Sequence, residues 1–212
     1  QIWTHQARVF ILGGLWGMAG AGDPMPTMSE VVRMLDEATP GRAVVVCTGV
    51  GSHQSIVARE FSWDYPTRML ITSCGHGTMG TGIPFAIGAA LERPNDLVLC
   101  INGDGSMNMD APHLATISEL GLSIKIVVLD NASAGIVRQF EDLQGFQNVA
   151  TANRPNPDFA TLAFANLIQG FKPYLTEHWD IDGWRGFIGL DGPALAHVRV
   201  SDYGVWPILE AS

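Results

Sequence analysis

"DLVLCINGDGSMNMD", residues 96–110, joins an apolar run to a turn in which two glycines flank Asp104. Such an uninterrupted apolar run is typical of a β-strand that is buried on both faces. Gly103 and Gly105 permit a tight turn and let backbone N–H groups approach an anion. Ser106 then opens a helix, whose first N–H groups favour phosphate. The stretch therefore predicts a strand, a polar turn and a helix, with a candidate ligand at the strand's end.

A second candidate ligand, Asn131, follows the next apolar run, "IKIVVLD", residues 124–130. Asn131 lies 27 residues after Asp104, so a helix and a strand fit between them and the two strands can be neighbours. Mg²⁺ prefers oxygen ligands and completes its coordination with phosphate oxygens and water. An Asp in a glycine turn is by itself more often a helix cap. The pair favours a Mg²⁺ site beneath a diphosphate.

The same alternation of strand and helix runs along most of the chain. The periodicity predicts strands at residues 42–47, 67–73, 96–102, 124–130 and 194–200, and helices at 28–38, 82–93 and 110–121. Either Thr27 or Ser29 is available to cap the first helix. Alternating strands and helices with continuous apolar strands predict an α/β fold with three layers, α/β/α, and a mostly parallel sheet.

The composition limits the class of protein. The chain has 212 residues, of which 47% are hydrophobic and 16% charged, and its net charge is −9. We expect an arm or linker at residues 1–26 and one domain at 27–212. No basic run is present to bind nucleic acid. The apolar stretch at residues 9–19 is shorter than the roughly 20 residues of a membrane span, so no membrane association is expected.

The cysteines indicate the compartment. Cys47, Cys74 and Cys100 have no CxxC spacing, and two of them lie in apolar runs where a thiol behaves as a small hydrophobic group. The first 25 residues also lack the pattern of a secretory signal peptide. We expect a cytoplasmic protein.

The motifs resemble those of a known family. "GDG", 24 residues and then "DN" is similar to the thiamin diphosphate motif, which usually ends in NN. The stretches "TGVGSHQ", "TSCGHGTMGTGIP", "GIVRQF", "PNPDFATLA" and "DGPALAHVRV" resemble, in order, the cofactor-binding carboxyl-terminal (PP) domain of acetolactate synthase and related enzymes. The resemblance runs from about Thr27 to Leu209 and implies thiamin diphosphate and Mg²⁺ as cofactors.

The resemblance also assigns roles to individual residues. The Mg²⁺ ligands would be Asp104, Asn131 and the backbone carbonyl of Ser133. The diphosphate would contact Gly51, Ser52, His53, Gly105 and Ser106. The catalytic assignments are Gly77, whose carbonyl would accept a hydrogen bond from the aminopyrimidine, and Met79, the apolar wedge beneath the cofactor. Without these motifs, His53 would more often be a loop histidine and Met79 a core residue.

Some positions depart from the family pattern. Ser52 stands where the synthases usually have Gln, and Cys74 and His76 stand where the family usually has Gly and Leu. At the acceptor pocket, Ile136 replaces Met and Phe140 replaces Trp, so His76, Ile136 and Phe140 are the candidate substrate-pocket residues. His113, within the helix after "GDG", is expected at the surface.

The resemblance implies decarboxylation of pyruvate or a similar 2-oxo acid and transfer of the two-carbon unit to an acceptor. Asp130 in "LDN" instead resembles sulfopyruvate and phosphonopyruvate decarboxylases, so simple decarboxylation is the alternative. A noncatalytic assembly subunit is a third interpretation, against which Asp104 and Asn131 argue. A nucleotide-binding Rossmann domain is disfavoured because no GxGxxG follows the first strand.

In this family an activating Glu comes from a separate pyrimidine-binding domain. No glutamate here lies in a context that resembles the activating one, and few residues precede Met28. We therefore expect a second polypeptide to supply that domain, as in split sulfopyruvate decarboxylase, with two copies of each chain in a heterotetramer. The alternative is that the sequence is a fragment of a longer chain.

Overall fold

The computed structural model describes residues 25–147, 150–151, 156–173 and 179–201. Six strands form one sheet in the order β2-β1-β3-β4-β6-β5, and every neighbouring pair is parallel. The strands are β1 Val44–Thr48, β2 Arg68–Ile71, β3 Leu97–Gly103, β4 Ile124–Asp130, β5 Gln169–Phe171 and β6 Ala194–Arg199. The predicted α/β fold with a mostly parallel sheet is confirmed. Most of the predicted arm, residues 1–24, lies outside the described residues.

Helices cover both faces of the sheet. Their bounds are α1 Met28–Glu37, α2 Ser52–Glu60, α3 Gly82–Glu92, α4 Asp104–Asp110, α5 Leu114–Leu120, α6 Gly135–Gln144, α7 Phe159–Ala165 and α8 Ile181–Ile188. One apolar core lies between the sheet and α1, α2 and α8, and a second lies between the sheet and α3, α4, α5 and α7. The structure thus has the three predicted layers. In the described part of the chain, no helix is long and apolar enough to cross a membrane.

The two central strands set the position of the polar turns. Every residue of β3 and β4 is buried, as the continuous apolar runs predicted. The strands pair in a register that places Gly103 opposite Leu129. Both strands therefore end at the same level of the sheet, and the turns that follow them lie side by side.

The structure shows which residue caps α1. Thr27 is the N-cap: its side chain accepts a hydrogen bond from the Glu30 backbone N–H at 3.1 Å. The Glu30 carboxylate in turn accepts from the Thr27 N–H at 2.7 Å, which completes a capping box. Thr27, and not Ser29, caps the helix.

The helix predicted at residues 110–121 is wrong in its start and its continuity. The helical backbone begins at Asp104 directly after β3, and α4 ends at Asp110. A 3₁₀ turn, Ala111–His113, then separates α4 from α5. Pro112 accounts for the interruption, because proline has no N–H to donate within a helix. His113 is exposed, as expected.

The edge strand β5 approaches α7 closely at a glycine. A Cβ atom on Gly170 would lie 2.2 Å from the Ala160 carbonyl oxygen, so only glycine fits. Gly88, on the exposed side of α3, has no atom within 4 Å of the same added Cβ. The contact at Gly170 fixes α7, and with it the loop that precedes α7, against the sheet.

We expect Gly170→Ala to lower the free energy of unfolding by about 1–3 kcal/mol, because backbone atoms must move to admit the methyl group. The matched change Gly88→Ala should raise it by about 0.5–1 kcal/mol, because alanine restricts the unfolded chain and favours helix. Urea unfolding of both variants checks the pair. Equal effects of the two substitutions would contradict the close packing of β5 on α7.

Candidate functional site

A cavity of about 600 Å³ opens at the carboxyl ends of β1, β3 and β4. Its lining includes most of the predicted site residues: Gly51, Ser52, His53, Gly77, Met79, Asp104, Gly105, Ser106, Asn131, Ser133 and Ile136. Four separate segments of the sequence are thereby brought to one place. His76 and Phe140 are exposed and lie outside this lining, so their contact with substrate stays a prediction.

The candidate metal ligands follow the neighbouring strands β3 and β4, and both line the cavity. Asp104 is buried at the start of α4. Asn131 Oδ1 accepts a hydrogen bond from the Ser133 N–H at 3.1 Å, which tightens the turn after β4. The described residues contain no cluster of three His, Cys, Asp or Glu side chains that could hold a metal. A cation here would instead use one carboxylate with amide and backbone oxygens, a donor set suited to Mg²⁺.

The anion-binding side of the cavity is formed by the start of α2. Ser52 is the first residue of this helix, whose N-terminal N–H groups favour negative charge. Ser52 Oγ and His53 Nε2 are buried and find no hydrogen-bond partner among the described residues. Buried polar atoms are normally satisfied. These two atoms therefore fit a ligand that is rich in hydrogen-bonding oxygens.

The surroundings of His53 disfavour its charged form. Burial lowers its pKa to about 4, although a hydrogen bond with the Gly49 backbone opposes the shift. Gly103 supports the ring: a Cβ there would lie 2.7 Å from His53 Nδ1. The glycine before Asp104 therefore serves close packing as well as the turn.

The glycine-rich loop at residues 72–82 is attached to α4 through Ser106. The Gly80 N–H donates to Ser106 Oγ at 3.0 Å, and the Thr78 N–H donates to Ser73 Oγ at 3.1 Å. A Cβ on Gly49 would lie only 2.1 Å from the same Ser106 oxygen. This attachment places Met79 at the cavity, where 38% of its surface remains exposed.

Asp130, which stands in place of the usual Asn, has a hydrogen-bonding partner that the sequence did not indicate. His197 on β6 lies with its Nε2 2.9 Å from Asp130 Oδ2, and because a carboxylate can only accept, the ring donates. Burial would lower the pKa of His197, but the hydrogen bond and charge of Asp130, with Asp158 3.9 Å from Nδ1, outweigh it and raise the pKa. Burial would raise the pKa of Asp130, but the hydrogen bond and charge of His197, with the Ala132 N–H and Arg199, outweigh it and lower the pKa.

The sequence analysis also did not identify Asn156 as a site residue. Its side-chain nitrogen lies 2.7 Å from Asp104 Oδ2 and 2.9 Å from Asp130 Oδ1, and so bridges the turns after β3 and β4. The only signal was its place in "PNPDFATLA", a stretch that carried the family resemblance without a role for this residue. Asn156 lies 26 residues after Asp130 and 52 residues after Asp104. Contacts over such separations produce no periodic pattern in the sequence.

The cysteines take no part in the site geometry. Cys47 and Cys100 are buried on neighbouring strands, and burial raises the pKa of Cys47 to about 12 and that of Cys100 well above its usual value. Such thiols are unreactive. Cys74 is an exposed free thiol in the glycine-rich loop.

Comparison with known proteins agrees with this geometry. Residues 49–182 match the family model described as thiamine pyrophosphate enzyme, C-terminal TPP binding domain. The chain is 38% identical over 182 residues to acetolactate synthase isozyme 2 large subunit of Escherichia coli (strain K12), which covers 84% of this chain and 32% of that protein.

Other relatives are of the same kind. The mitochondrial catalytic subunit of acetolactate synthase from Saccharomyces cerevisiae is 39% identical over 160 residues, covering 76% of this chain and 23% of the relative. The acetolactate synthase large subunit of Lactococcus lactis is 44% identical over 113 residues, covering 53% and 19%. The chain thus spans a third or less of the length of these relatives. The family resemblance seen in the motifs is confirmed.

The ion pair of His197 makes a pH-dependent contribution to stability. Because the folded pKa of His197 is raised, the contribution is complete below the unfolded value of about 6.5 and is lost as pH rises through the folded pKa. At pH 6 the free energy of unfolding of wild type should be about 1–3 kcal/mol higher than that of His197→Gln, and at pH 9 the difference should be smaller. Urea unfolding at both pH values measures this. A difference that stays constant or grows with pH would contradict the charged pair.

Proposed function

This chain belongs to the family of C-terminal TPP-binding domains of thiamine pyrophosphate enzymes, and we propose that its cavity binds thiamin diphosphate through Mg²⁺ in a 2-oxo acid-converting enzyme. The observation that carries the proposal is the meeting of two sets of groups around one cavity. Asp104 and Asn131 offer oxygens to a cation, and Ser52 and His53 offer unsatisfied polar atoms to an anion.

The residues present fit both cofactors. Asp104, Asn131 and the Ser133 carbonyl would hold Mg²⁺, and the start of α2 with Gly105 and Ser106 would hold the diphosphate. When bound, thiamin diphosphate supplies an electron sink for the decarboxylation of a 2-oxo acid. The protein's part would be to bind and orient: Met79 would pack against the cofactor as an apolar wedge, and the Gly77 carbonyl would accept a hydrogen bond from the amino group of the aminopyrimidine.

For the reaction, we favour decarboxylation of pyruvate or a similar 2-oxo acid with transfer of the two-carbon unit to an acceptor. The similarity to acetolactate synthases supports this choice. Simple decarboxylation is the alternative, favoured by Asp130 in place of the usual Asn and by the altered pocket residues Ile136 and Phe140. A noncatalytic subunit is less consistent with a site in which Asp104 and Asn131 are both kept.

We further propose that a second polypeptide carries the pyrimidine-binding domain with the activating Glu, in a heterotetramer. The support comes from exposed apolar residues in the cavity lining: Met79, Met109 and Val137 are 38%, 57% and 51% exposed. Exposed apolar side chains gathered around a site are typical of an interaction surface. The three free cysteines support a cytoplasmic location for this complex.

Replacing Asp104 by Ala tests the cofactor assignment. In the protein with the polypeptides that copurify with it, we expect Mg²⁺-dependent binding of thiamin diphosphate to weaken by more than about 100-fold, because a direct ligand contributes more than the 10- to 100-fold typical of its supporting residues. Isothermal titration calorimetry measures the affinity. The control is Asp182→Ala, whose carboxylate is on the exposed face of α8. Unchanged binding in Asp104→Ala would overturn the proposal.

The reaction type is tested by product analysis. With pyruvate as donor, carboligation predicts that each molecule of CO₂ released is matched by one molecule of a coupled product. Chromatography of the reaction with isotopically labelled pyruvate measures both. Free aldehyde in place of the coupled product would replace our assignment with the simple decarboxylase.

A further inference from the structure

We propose that Asn156 is a positioning residue that sets the geometry of the metal site, an inference that rests on the proposed function. Asn156 lies in the loop before α7, outside the cavity lining. Its side-chain amide nitrogen donates to Asp104 Oδ2 at 2.7 Å and to Asp130 Oδ1 at 2.9 Å. One side chain thus connects the candidate metal ligand on α4 with the residue that precedes Asn131.

The orientation of the Asn156 amide is determined by its neighbours. Both acceptors are carboxylate oxygens, so only the NH₂ group, with its two N–H donors, can face them. The amide oxygen points the other way and accepts a hydrogen bond from Asn108 Nδ2 at 3.2 Å. A flipped amide would bring its oxygen against two carboxylates. The amide is therefore held in one orientation, in which its NH₂ group donates to both Asp104 and Asp130.

The backbone position of Asn156 is also fixed. Two residues later, Asp158 caps α7 by accepting from the Thr161 N–H at 3.1 Å, and it is paired with Lys172. The same α7 is held against the sheet by the close contact of Ala160 with Gly170. Asn156 is thus supported from the α7 side and reaches across to both polar turns.

Such a bridge matters because the turns after β3 and β4 carry both metal-binding side chains. Asp104 directly follows β3, and Asn131 directly follows Asp130. Hydrogen bonds to ligating carboxylates orient them, and their loss typically costs 10- to 100-fold in metal affinity. The shared donor also lies between two carboxylates, where it reduces their mutual repulsion. Asn156 therefore presets the spacing and direction of the ligands.

The test is metal affinity in the protein purified together with the polypeptides that it assembles with, saturated with thiamin diphosphate and titrated with Mn²⁺ in place of Mg²⁺. Free Mn²⁺ is counted by electron paramagnetic resonance. We expect Asn156→Ala to bind Mn²⁺ about 10- to 100-fold more weakly than wild type. At saturating metal its kcat should return close to that of wild type, whereas a general loss of structure would lower kcat at every metal concentration.

Asn166→Ala is the matched control, because Asn166 also donates from its side chain, to the Leu162 carbonyl at 2.9 Å, but at the far end of α7. It should bind Mn²⁺ like wild type. Should Asn156→Ala unfold, Asn108→Ala replaces it: this change removes the hydrogen bond to the Asn156 oxygen from a side chain that lines the cavity, and it should weaken Mn²⁺ binding by about two- to tenfold.

The outcomes separate the two levels of the proposal. If wild type binds Mn²⁺ and Asn156→Ala, or Asn108→Ala in its place, binds it equally well, the positioning role is wrong and the proposed function stands. If wild type fails to bind Mn²⁺ with thiamin diphosphate present, the proposed function itself is overturned, and the role of Asn156 with it.

Discussion

The parallel register of β3 and β4 is the constraint on which the site depends. Because Gly103 pairs with Leu129, the two buried strands end at nearly the same level of the sheet. Asp104 and Asn131 therefore line the same cavity, although Asn131 lies 27 residues after Asp104 in the sequence. A shift of either strand by one residue would move each of its side chains from one core to the other, where the packing partners differ. The cores on both faces of the sheet therefore also hold the metal ligands in place.

Charges near the ends of β3 and β4 are balanced by neighbouring groups. The chain carries a net charge of −9, yet the proposed ligand is an anion. A cation at Asp104 and the N-terminal N–H groups of α2 would supply the attraction. Asp130 adds an acid beside the metal ligands, and His197 on the next strand offsets it at 2.9 Å. The departure from the family's usual Asn thus comes with a compensating partner.

Local sequence pattern was sufficient for the layers and for every strand except the short edge strand β5, and it placed the candidate ligands at the ends of strands. Continuous apolar runs predicted β1, β3 and β4, and the polar residues directly after β3 and β4 marked Asp104 and Asn131, because these features depend on neighbouring residues. His197 and Asn156 could not be found in this way, since each acts through contacts that only the folded sheet creates. The start of α4 was expected at Ser106, two residues after the observed start at Asp104, because the glycines of "GDG" suggested a turn rather than the first residues of a helix.

The most direct test of the account is native mass spectrometry of the protein purified from its own host with thiamin diphosphate and Mg²⁺ present. Our account predicts a complex with an unlike chain, in which each copy of this chain accompanies one thiamin diphosphate and one Mg²⁺. A complex of identical chains that binds neither the cofactor nor the metal would contradict it.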